Sequence, residues 1–209
     1  MQIKNIIFDW SGTLSDDFTC VYEASMLVFN KLGRKSISKE EYKREFVLLY
    51  MRFWNKYFPD LTKEKGDKLY LEAINQVKEP TIYPQVKEEL EKLKSLGINM
   101  IIINSHPQEK LIKEAKNYKV QNLFKEINGS VADKTEIIHE ILKRNKFNNT
   151  ETVYVGDMTH DIDAGKKAEV TTIAIGWGYE TKEKLMQAQP NYYIENITKL
   201  DKTLNLNKQ

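Results

Sequence analysis

Cysteine is almost absent from this chain, because Cys20 is the single one among its 209 residues. No internal disulfide can form, and metal clusters built on thiolates are excluded together with the redox chemistry of cysteine pairs. Net charge is also nearly absent, since 32 basic and 30 acidic residues leave a formal charge of +2. This balance does not predict binding to nucleic acid or to a membrane surface.

A long apolar run is missing as well. The most apolar stretch, residues 98–104 (INMIIIN), is far too short to span a bilayer. The N-terminus lacks the basic region followed by an apolar run that marks a signal peptide. We therefore expect a soluble cytoplasmic protein that has neither nucleic acid nor a membrane among its partners.

Apolar residues nevertheless make up 41% of the chain, which is enough for a packed core. Short continuous apolar runs predict strands that are buried on both faces of a sheet. These predicted strands are residues 3–8, 98–103, 152–156 and 171–175, with a short edge strand at 192–194.

Helical patterns lie between the later strands. Residues 83–97 place Pro84 in a first helical turn and Gly97 at the stop. Residues 132–144 begin with a capping box formed by Asp133 and Glu136. This alternation of strands and helices predicts an α/β fold, with a Rossmann-like parallel sheet flanked by helices.

One region interrupts the alternation with helical patterns and no convincing strand. The three patterns cover residues of about 16–32, 39–58 and 62–78. We therefore predict an α-helical cap at residues 15–80, inserted into a core made of residues 1–14 and 81–209. The tail at 202–209 (KTLNLNKQ) is expected to fray.

The middle helical pattern of this insert carries an aromatic stripe, which we expect to pack the helical bundle. The stripe consists of Phe46, Leu49, Tyr50, Phe53, Trp54 and Tyr57. Arg44 or Arg52 is a candidate to clamp a carboxylate of a substrate.

Polar residues follow several of the predicted strands. In open parallel sheets, ligands bind beyond the carboxyl ends of the strands, so these residues are expected to share one crevice. They are Asp9, Asn104 with Ser105, and Asp157 with Asp161, joined by Lys134 at the start of a helix.

Each of these residues also has a purely structural interpretation. Asp9 can begin a turn, Asp161 or Asp163 can cap a helix, and Ser105 can do so before Pro107. A cation in a first helical turn opposes the helix dipole, and a nearby anion would remove that conflict for Lys134. The ordered set at strand ends is much more specific than any single member.

The chain resembles the haloacid dehalogenase superfamily of phosphotransferases over nearly its whole length. Its first motif, a strand followed by Asp-x-Asp-Gly-Thr, matches FDWSGTL at residues 8–14, and its second matches IIINS at 101–105. Its third motif is Lys134, and its fourth matches VGDMTHD at 155–161. The stretch at 172–200 and the helical cap resemble the phosphoglycolate phosphatase-like branch.

The resemblance implies roles for the matching residues. Asp9 is the expected nucleophile, which attacks phosphorus and becomes an aspartyl phosphate. Mg²⁺, a hard cation that prefers oxygen ligands, is expected between Asp9, the backbone carbonyl of Ser11, Asp157 and Asp161. The metal and Lys134 are expected to stabilise the negative charge of the phosphoryl group during its transfer. The residues expected to contact the phosphoryl group are Gly12, Thr13, Ser105, His106 and Lys134.

Ser11 departs from the family pattern, because most family phosphatases have an Asp there. That Asp protonates the leaving oxygen and then activates water, a form of help worth about 10²–10⁴ in rate. The metal contact survives the change, since a backbone carbonyl serves whatever the side chain. Asp16, Asp17 and His106 are candidates to take over the proton transfer.

The leading prediction is a Mg²⁺-dependent phosphatase for a small phosphorylated metabolite such as phosphoglycolate, acting as a monomer or homodimer. One alternative is a slowed or inactive phosphometabolite-binding protein, suggested by Ser11. Another is C–P bond cleavage, since phosphonoacetaldehyde hydrolases resemble DWSGT with Ala at the Ser11 position. Those enzymes use a cap lysine assisted by a nearby histidine, and residues 1–105 contain no histidine.

Overall fold

A computed structural model describes residues 2–47 and 50–206. In these ranges a six-stranded sheet has the order β5-β4-β1-β6-β7-β8, and every neighbouring pair is parallel. The eight strands are β1 Asn5–Asp9, β2 Ser15–Asp16, β3 Thr81–Ile82, β4 Asn99–Ile103, β5 Glu126–Asn128, β6 Thr152–Gly156, β7 Thr171–Ile175 and β8 Tyr192–Ile194.

The three central strands are buried on both faces, as their continuous apolar runs predicted. Ile6 and Phe8 of β1 point into one core cluster, whereas Ile7 and Ile101 belong to the cluster on the opposite face. Register pairs Phe8 with Ile102 on one side and with Val155 on the other. The carboxyl ends of β4, β1 and β6 therefore lie next to one another.

Helices cover both faces of this sheet, which confirms the predicted α/β architecture. The helices are α1 Phe18–Lys31, α2 Lys39–Glu45, α3 Tyr50–Tyr57, α4 Lys63–Ile74, α5 Val86–Ser95, α6 Gln108–Asn117, α7 Lys134–Asn145, α8 Thr159–Lys167, α9 Lys182–Gln187 and α10 Leu200–Thr203. Pro84 lies in the turn before α5, and Gly97 follows that helix with a φ of +77°. None of the helices in the described ranges is long and apolar enough to cross a membrane.

The prediction of one continuous helix over 39–58 is wrong. After α2, Phe46 has extended backbone with φ −63° and ψ 134°, and α3 begins at Tyr50, whereas Leu49 lies outside the described residues. The break lets the Phe46 ring lie 5.2 Å from that of Tyr179, while Phe53 stays 4.8 Å from Tyr42. Phe46 also stacks on Tyr42 at 5.6 Å, so leaving helical geometry lets its ring lie between Tyr42 and Tyr179.

Helices α1 to α4 pack around an aromatic core that Met158 and Tyr179 complete from the sheet side. The Phe29 ring, fully buried on α1, lies 5.0 Å from Tyr57 and 5.0 Å from Phe58, and it also contacts Phe53 and Trp54. The expectation of no strand in this region is corrected by β2, which pairs antiparallel with β3. One strand of this two-stranded ribbon lies at the start of the predicted insert and the other directly follows its end. The limits of the insert stay a prediction.

The sequence also missed β5 and the packing of the C-terminal segment. β5 is a three-residue strand beside β4, and its brevity leaves no periodic signal. The expected fraying is wrong for residues 202–206, because Leu204 and Leu206 are buried in the main core cluster. Residues 207–209 lie outside the described part of the chain.

Candidate active site

The predicted residues at the strand ends meet at one edge of the sheet. Asp9 closes β1, and its Oδ1 accepts a hydrogen bond of 3.3 Å from Asn104, which follows β4. Asp157 follows β6 on the other side of β1. Asp9, Asn104 and Asp157 are all at most 3% exposed, so the sheet itself sets their positions.

Lys134 connects two of the carboxylates. As the first residue of α7, it donates to Asp9 Oδ1 at 2.7 Å and to Asp161 Oδ1 at 2.6 Å. Burial opposes the charge of this ammonium, but Asp161 and Asp9 outweigh it and raise the pKa of Lys134. The helix-dipole conflict seen in the sequence is thus offset by two carboxylates and by Asp133, which caps α7 through the amides of Thr135 and Glu136.

Asp161 is fully buried at the start of α8. Its Oδ1 accepts from Tyr154 at 2.8 Å, and its Oδ2 accepts from the Met158 amide at 3.0 Å. Burial opposes ionisation, yet Lys134, then His160 and the Tyr154 hydroxyl, lower the pKa of Asp161. Tyr154 is a site residue that the sequence did not reveal, because it lies in an otherwise apolar strand.

The buried charge of Asp157 is less well compensated than that of Asp161. Its Oδ2 accepts from the Tyr179 amide at 2.6 Å, and its Oδ1 accepts from the Thr13 hydroxyl at 3.3 Å. Burial, then the charges of Asp9 and Asp161, raise the pKa of Asp157 well above its ordinary value. Burial likewise raises the pKa of Asp9 to about 7, against the opposing effect of Lys134.

Asp9, Asp157 and Asp161 form what we call the carboxylate cluster. One carboxylate oxygen from each lies within 4.8 Å of the others. The Lys134 ammonium pairs with Asp9 and Asp161 but not with Asp157, so the three buried carboxylates carry more negative charge than this one ammonium offsets. An all-oxygen donor set with excess negative charge fits a hard divalent cation such as Mg²⁺.

Gly12 and Thr13 support the cluster from the loop after β1. Gly12 has a φ of +72°, and an added Cβ would lie 2.3 Å from Asp157 Oδ2 and 2.6 Å from Tyr179 Cδ2. Only glycine fits that approach. The Thr13 side chain is fully buried with its hydroxyl on Asp157, and neither residue lines the adjoining cavity.

Ser11 occupies the position where the family pattern has an acid. Its Oγ lies 3.3 Å from His106 Nε2, and Asp17 Oδ2 lies 4.0 Å from that same nitrogen. Burial raises the pKa of Asp17 to about 6, although the Ser11 hydroxyl and the Gly12 amide lower it. Burial also lowers the pKa of His106 to about 4.

Two of the three candidates for proton transfer therefore adjoin Ser11. His106 Nδ1 is buried without a hydrogen-bond partner among the described residues, and both His106 and Asp17 line the cavity. Asp16 instead lies in β2 and does not line it.

A cavity of about 730 Å³ opens beside the carboxylate cluster. Its core side includes Ser105, which is exposed, together with Lys134 and His160. The opposite side is formed by α2, α3, α4 and the segment after α2, and we call its six rings the aromatic wall. These rings belong to Tyr42, Phe46, Tyr50, Phe53, Trp54 and Tyr70.

The two arginines proposed as a carboxylate clamp do not reach this cavity. Arg44 and Arg52 are exposed, and neither is among the described residues that line the cavity. A contact that the sequence missed is made by Glu180, whose carboxylate accepts from the Thr159 amide at 2.6 Å. This bond holds the start of α8, which carries Asp161, but a lone Glu beyond a strand gave no signal.

The comparisons with known proteins agree with this architecture. A family model described as haloacid dehalogenase-like hydrolase matches residues 6–175. A curated phosphoglycolate phosphatase from Vibrio parahaemolyticus is 24% identical, covering 95% of this chain and 95% of its own length. A curated 5'-nucleotidase from Pseudomonas aeruginosa is 23% identical, covering 98% of this chain and 96% of its own.

Solved structures show the same fold. A haloacid dehalogenase-like protein of unknown function from Agrobacterium tumefaciens superposes with a TM-score of 0.83 at 18% identity, over 99% of this chain and 100% of its own. A predicted phosphoglycolate phosphatase from Haemophilus somnus gives 0.80 at 20% identity, over 97% and 98% respectively. At such identities the likeness shows the fold alone, which is the predicted α/β fold.

Proposed function

Because the chain belongs to the haloacid dehalogenase-like hydrolases, we propose that it is a Mg²⁺-dependent phosphatase that hydrolyses a small phosphorylated metabolite through phospho-Asp9. The observation that carries the proposal is the buried set of Asp9, Lys134 and two further carboxylates beside a cavity. A buried nucleophile beside a lysine and a cation site suits attack on an anionic phosphate ester.

The carboxylate cluster and the Ser11 carbonyl are the proposed metal ligands. Mg²⁺ bound there supplies positive charge that offsets repulsion between the Asp9 carboxylate and the phosphate dianion. Lys134, hydrogen-bonded to Asp9 Oδ1, holds the nucleophile in place and adds a second positive charge. Asn104 restrains the same oxygen from the neighbouring strand.

The proposed reaction has two steps. An Asp9 oxygen forms a bond to phosphorus while the ester P–O bond breaks, and the departing alkoxide takes a proton. Water then attacks phosphorus, the Asp9–phosphorus bond breaks, and inorganic phosphate leaves. Ser105, His106 and Lys134 face the cavity and are proposed to contact the phosphoryl group, while Gly12 and Thr13 act through Asp157.

Proton transfer in both steps is assigned to a group next to Ser11. A serine hydroxyl by itself is a poor acid and a poor base at neutral pH. Asp17 and His106 both adjoin Ser11 and line the cavity, so either one can reach a leaving oxygen through or beside the Ser11 hydroxyl. Variants that remove each group separately decide between them.

Phosphoglycolate is the first substrate to test, because several curated relatives carry that name, and nucleoside 5'-monophosphates come next because of the 5'-nucleotidase relative. The experiment is a panel of phosphate esters with Mg²⁺ or with a chelator, using wild type and Asp9→Asn. We expect hydrolysis by wild type with Mg²⁺ alone. Equal rates for wild type and Asp9→Asn would overturn the proposal.

Ser11 also favours a second candidate, a phosphometabolite-binding protein that turns over slowly or not at all. Tight binding of a phosphate ester without hydrolysis by wild type would support it. C–P cleavage through a cap lysine is less favoured, because the lysines in the described cavity lining, Lys134 and Lys167, lie on α7 and α8. We propose a cytoplasmic monomer or homodimer for either activity.

A further inference from the structure

The cavity is far larger than a phosphate group and a two-carbon acid require. Sites for ligands of drug size have volumes of about 300–1,000 Å³, and the cavity measures about 730 Å³. It runs from Asp9 on the sheet to Asp67 and Tyr70 on α4. The space beyond the phosphate is therefore available for a bulky alcohol portion of a substrate.

The charges around this space do not suit a second anionic group. Among the described residues that line the cavity, the basic ones are His106, Lys134, His160 and Lys167. All four lie on the core side of the cavity, which also holds the proposed phosphoryl site. At the far end stands Asp67, whose carboxylate accepts from the Tyr50 hydroxyl at 2.7 Å. Lys63 also donates to Asp67, at 2.5 Å, and does not itself line the cavity, so the described lining at this end offers a substrate carboxylate no unpaired cation.

The far side presents aromatic rings. Tyr42, Phe53 and Trp54 are almost fully buried and pack on Phe29, Phe46 or one another, so they form a fixed backing. Tyr50 is 37% exposed and Tyr70 is half-buried, so both present ring surface to the cavity. Rings of this kind bind planar aromatic groups by stacked or edge contacts.

We propose that the substrates are phosphate monoesters whose alcohol carries a planar ring, with the phosphate at Asp9 and the ring against the aromatic wall. This assignment rests on the proposed function and names its substrate class. The ring can be bonded directly to the ester oxygen, as in an aryl phosphate, or through a sugar, as in a nucleoside 5'-monophosphate. In both, the ester P–O bond breaks and the ring leaves unchanged with its alcohol.

Binding affinity tests the assignment separately from turnover. Titration calorimetry with Asp9→Asn and Mg²⁺ compares phenyl phosphate, adenosine 5'-monophosphate and phosphoglycolate. We expect at least one ring ester to bind about tenfold or more tightly than phosphoglycolate, and the tighter of the two shows where the ring stands relative to the phosphate. Equal or tighter binding of phosphoglycolate overturns the assignment, as does failure of both ring esters to bind.

A matched pair of tyrosine variants locates the ring. Tyr50→Ala is expected to reduce the ratio of ring-ester to phosphoglycolate affinity by about fivefold or more, as loss of one stacking contact does. Tyr192→Ala is the control, because Tyr192 is 45% exposed on β8 and does not line the cavity. An unchanged ratio in Tyr50→Ala and also in Tyr70→Leu overturns the assignment.

Hydrolysis by wild type separates this assignment from the proposed function. If the ring esters bind as expected but wild type and Asp9→Asn hydrolyse them equally slowly, the phosphatase proposal fails and the ligand class stands. If wild type hydrolyses phosphoglycolate with a higher kcat/KM than either ring ester, the phosphatase proposal stands and the ligand class fails.

Discussion

The two sides of the cavity differ in how they are built. The carboxylate cluster is at most 3% exposed, at the ends of two buried strands and the start of α8, and each carboxylate is tied to an amide, a hydroxyl or Lys134. The aromatic wall stands on short helices that are interrupted after α2, and one of its rings is 37% exposed. Charge pairing fixes the first side, whereas ring packing fixes the second.

This difference separates chemistry from selectivity. The sheet register determines which carboxylates meet, so a change there disturbs both stability and catalysis. In the proposed site, a change in the aromatic wall is expected to alter the shape offered to the alcohol portion of a substrate and to leave the charges alone. Variants on the two sides should therefore have distinguishable effects.

The largest effect is expected for Lys134→Met on the charged side. Removing the ammonium leaves Asp9 and Asp161 buried without their cation, and breaking a buried pair costs about 3–5 kcal/mol of unfolding free energy. We also expect phosphatase activity to be lost. Urea unfolding without Mg²⁺ measures the first effect. Lys31→Met, which breaks an exposed pair with Glu72, is the control and should change stability little.

A comparable loss of stability with a different signature is expected for Phe29→Ala behind the aromatic wall. The ring is fully buried, and truncating a buried Phe costs about 3–5 kcal/mol. Added Mg²⁺ should still raise Tm in this variant, because the carboxylate cluster is untouched. Leu71→Ala serves as the control, since Leu71 is 62% exposed. A loss no greater than that of Leu71→Ala would contradict the packing described for Phe29.

Proton transfer gives the next effect. We expect His106→Asn or Asp17→Asn to lower kcat by about 10²-fold, the lower end of general acid–base help. Ser11→Asp should not raise kcat by a similar factor, because in the proposed mechanism the neighbouring group already transfers the proton. Steady-state rates at saturating substrate test this. A large gain in Ser11→Asp with no loss in either other variant would show that the proton-transfer step is unassisted in this chain.

Metal binding should affect the charged side alone and by a moderate amount. A cation at a hundredfold excess over its Kd stabilises the folded state by about 2.7 kcal/mol. We expect Mg²⁺ to raise Tm in wild type and to lose this effect in Asp157→Asn. Asp163→Asn is the matched control, because Asp163 is exposed on α8 and lies outside the carboxylate cluster. Retention of the shift in Asp157→Asn would remove Asp157 from the proposed ligands.

The sequence predicted the charged side well and the aromatic side only in part. Asp9 and Asp157 follow apolar runs directly, so a parallel sheet brings them together whatever the details of the loops. The break after α2 was missed because apolar spacing continues through Tyr50 and Phe53, whereas Phe46 leaves the helical path and lies between Tyr42 and Tyr179. Helical periodicity in a sequence shows which residues share the apolar face of a helix. It does not show that one of those residues will contact a residue far away along the chain.

Other contacts at the site depend on distant segments meeting, which spacing along the chain does not encode. Tyr154 reaches Asp161 from within β6, and the Tyr179 amide reaches Asp157 across 22 residues. Leu204 and Leu206 were expected in a frayed tail because the ends of a chain commonly fray, yet they pack into the core. A mostly polar terminal segment is held in place when its few apolar residues pack into the core.

Asp9 is the group proposed to form a bond to phosphorus. Beryllium fluoride with Mg²⁺ forms an aspartyl adduct that resembles the phosphoenzyme, and fluorine NMR detects it as a bound resonance. We expect this resonance in wild type and its absence in Asp9→Asn. No bound resonance in wild type, or the same resonance in Asp9→Asn, would contradict the account.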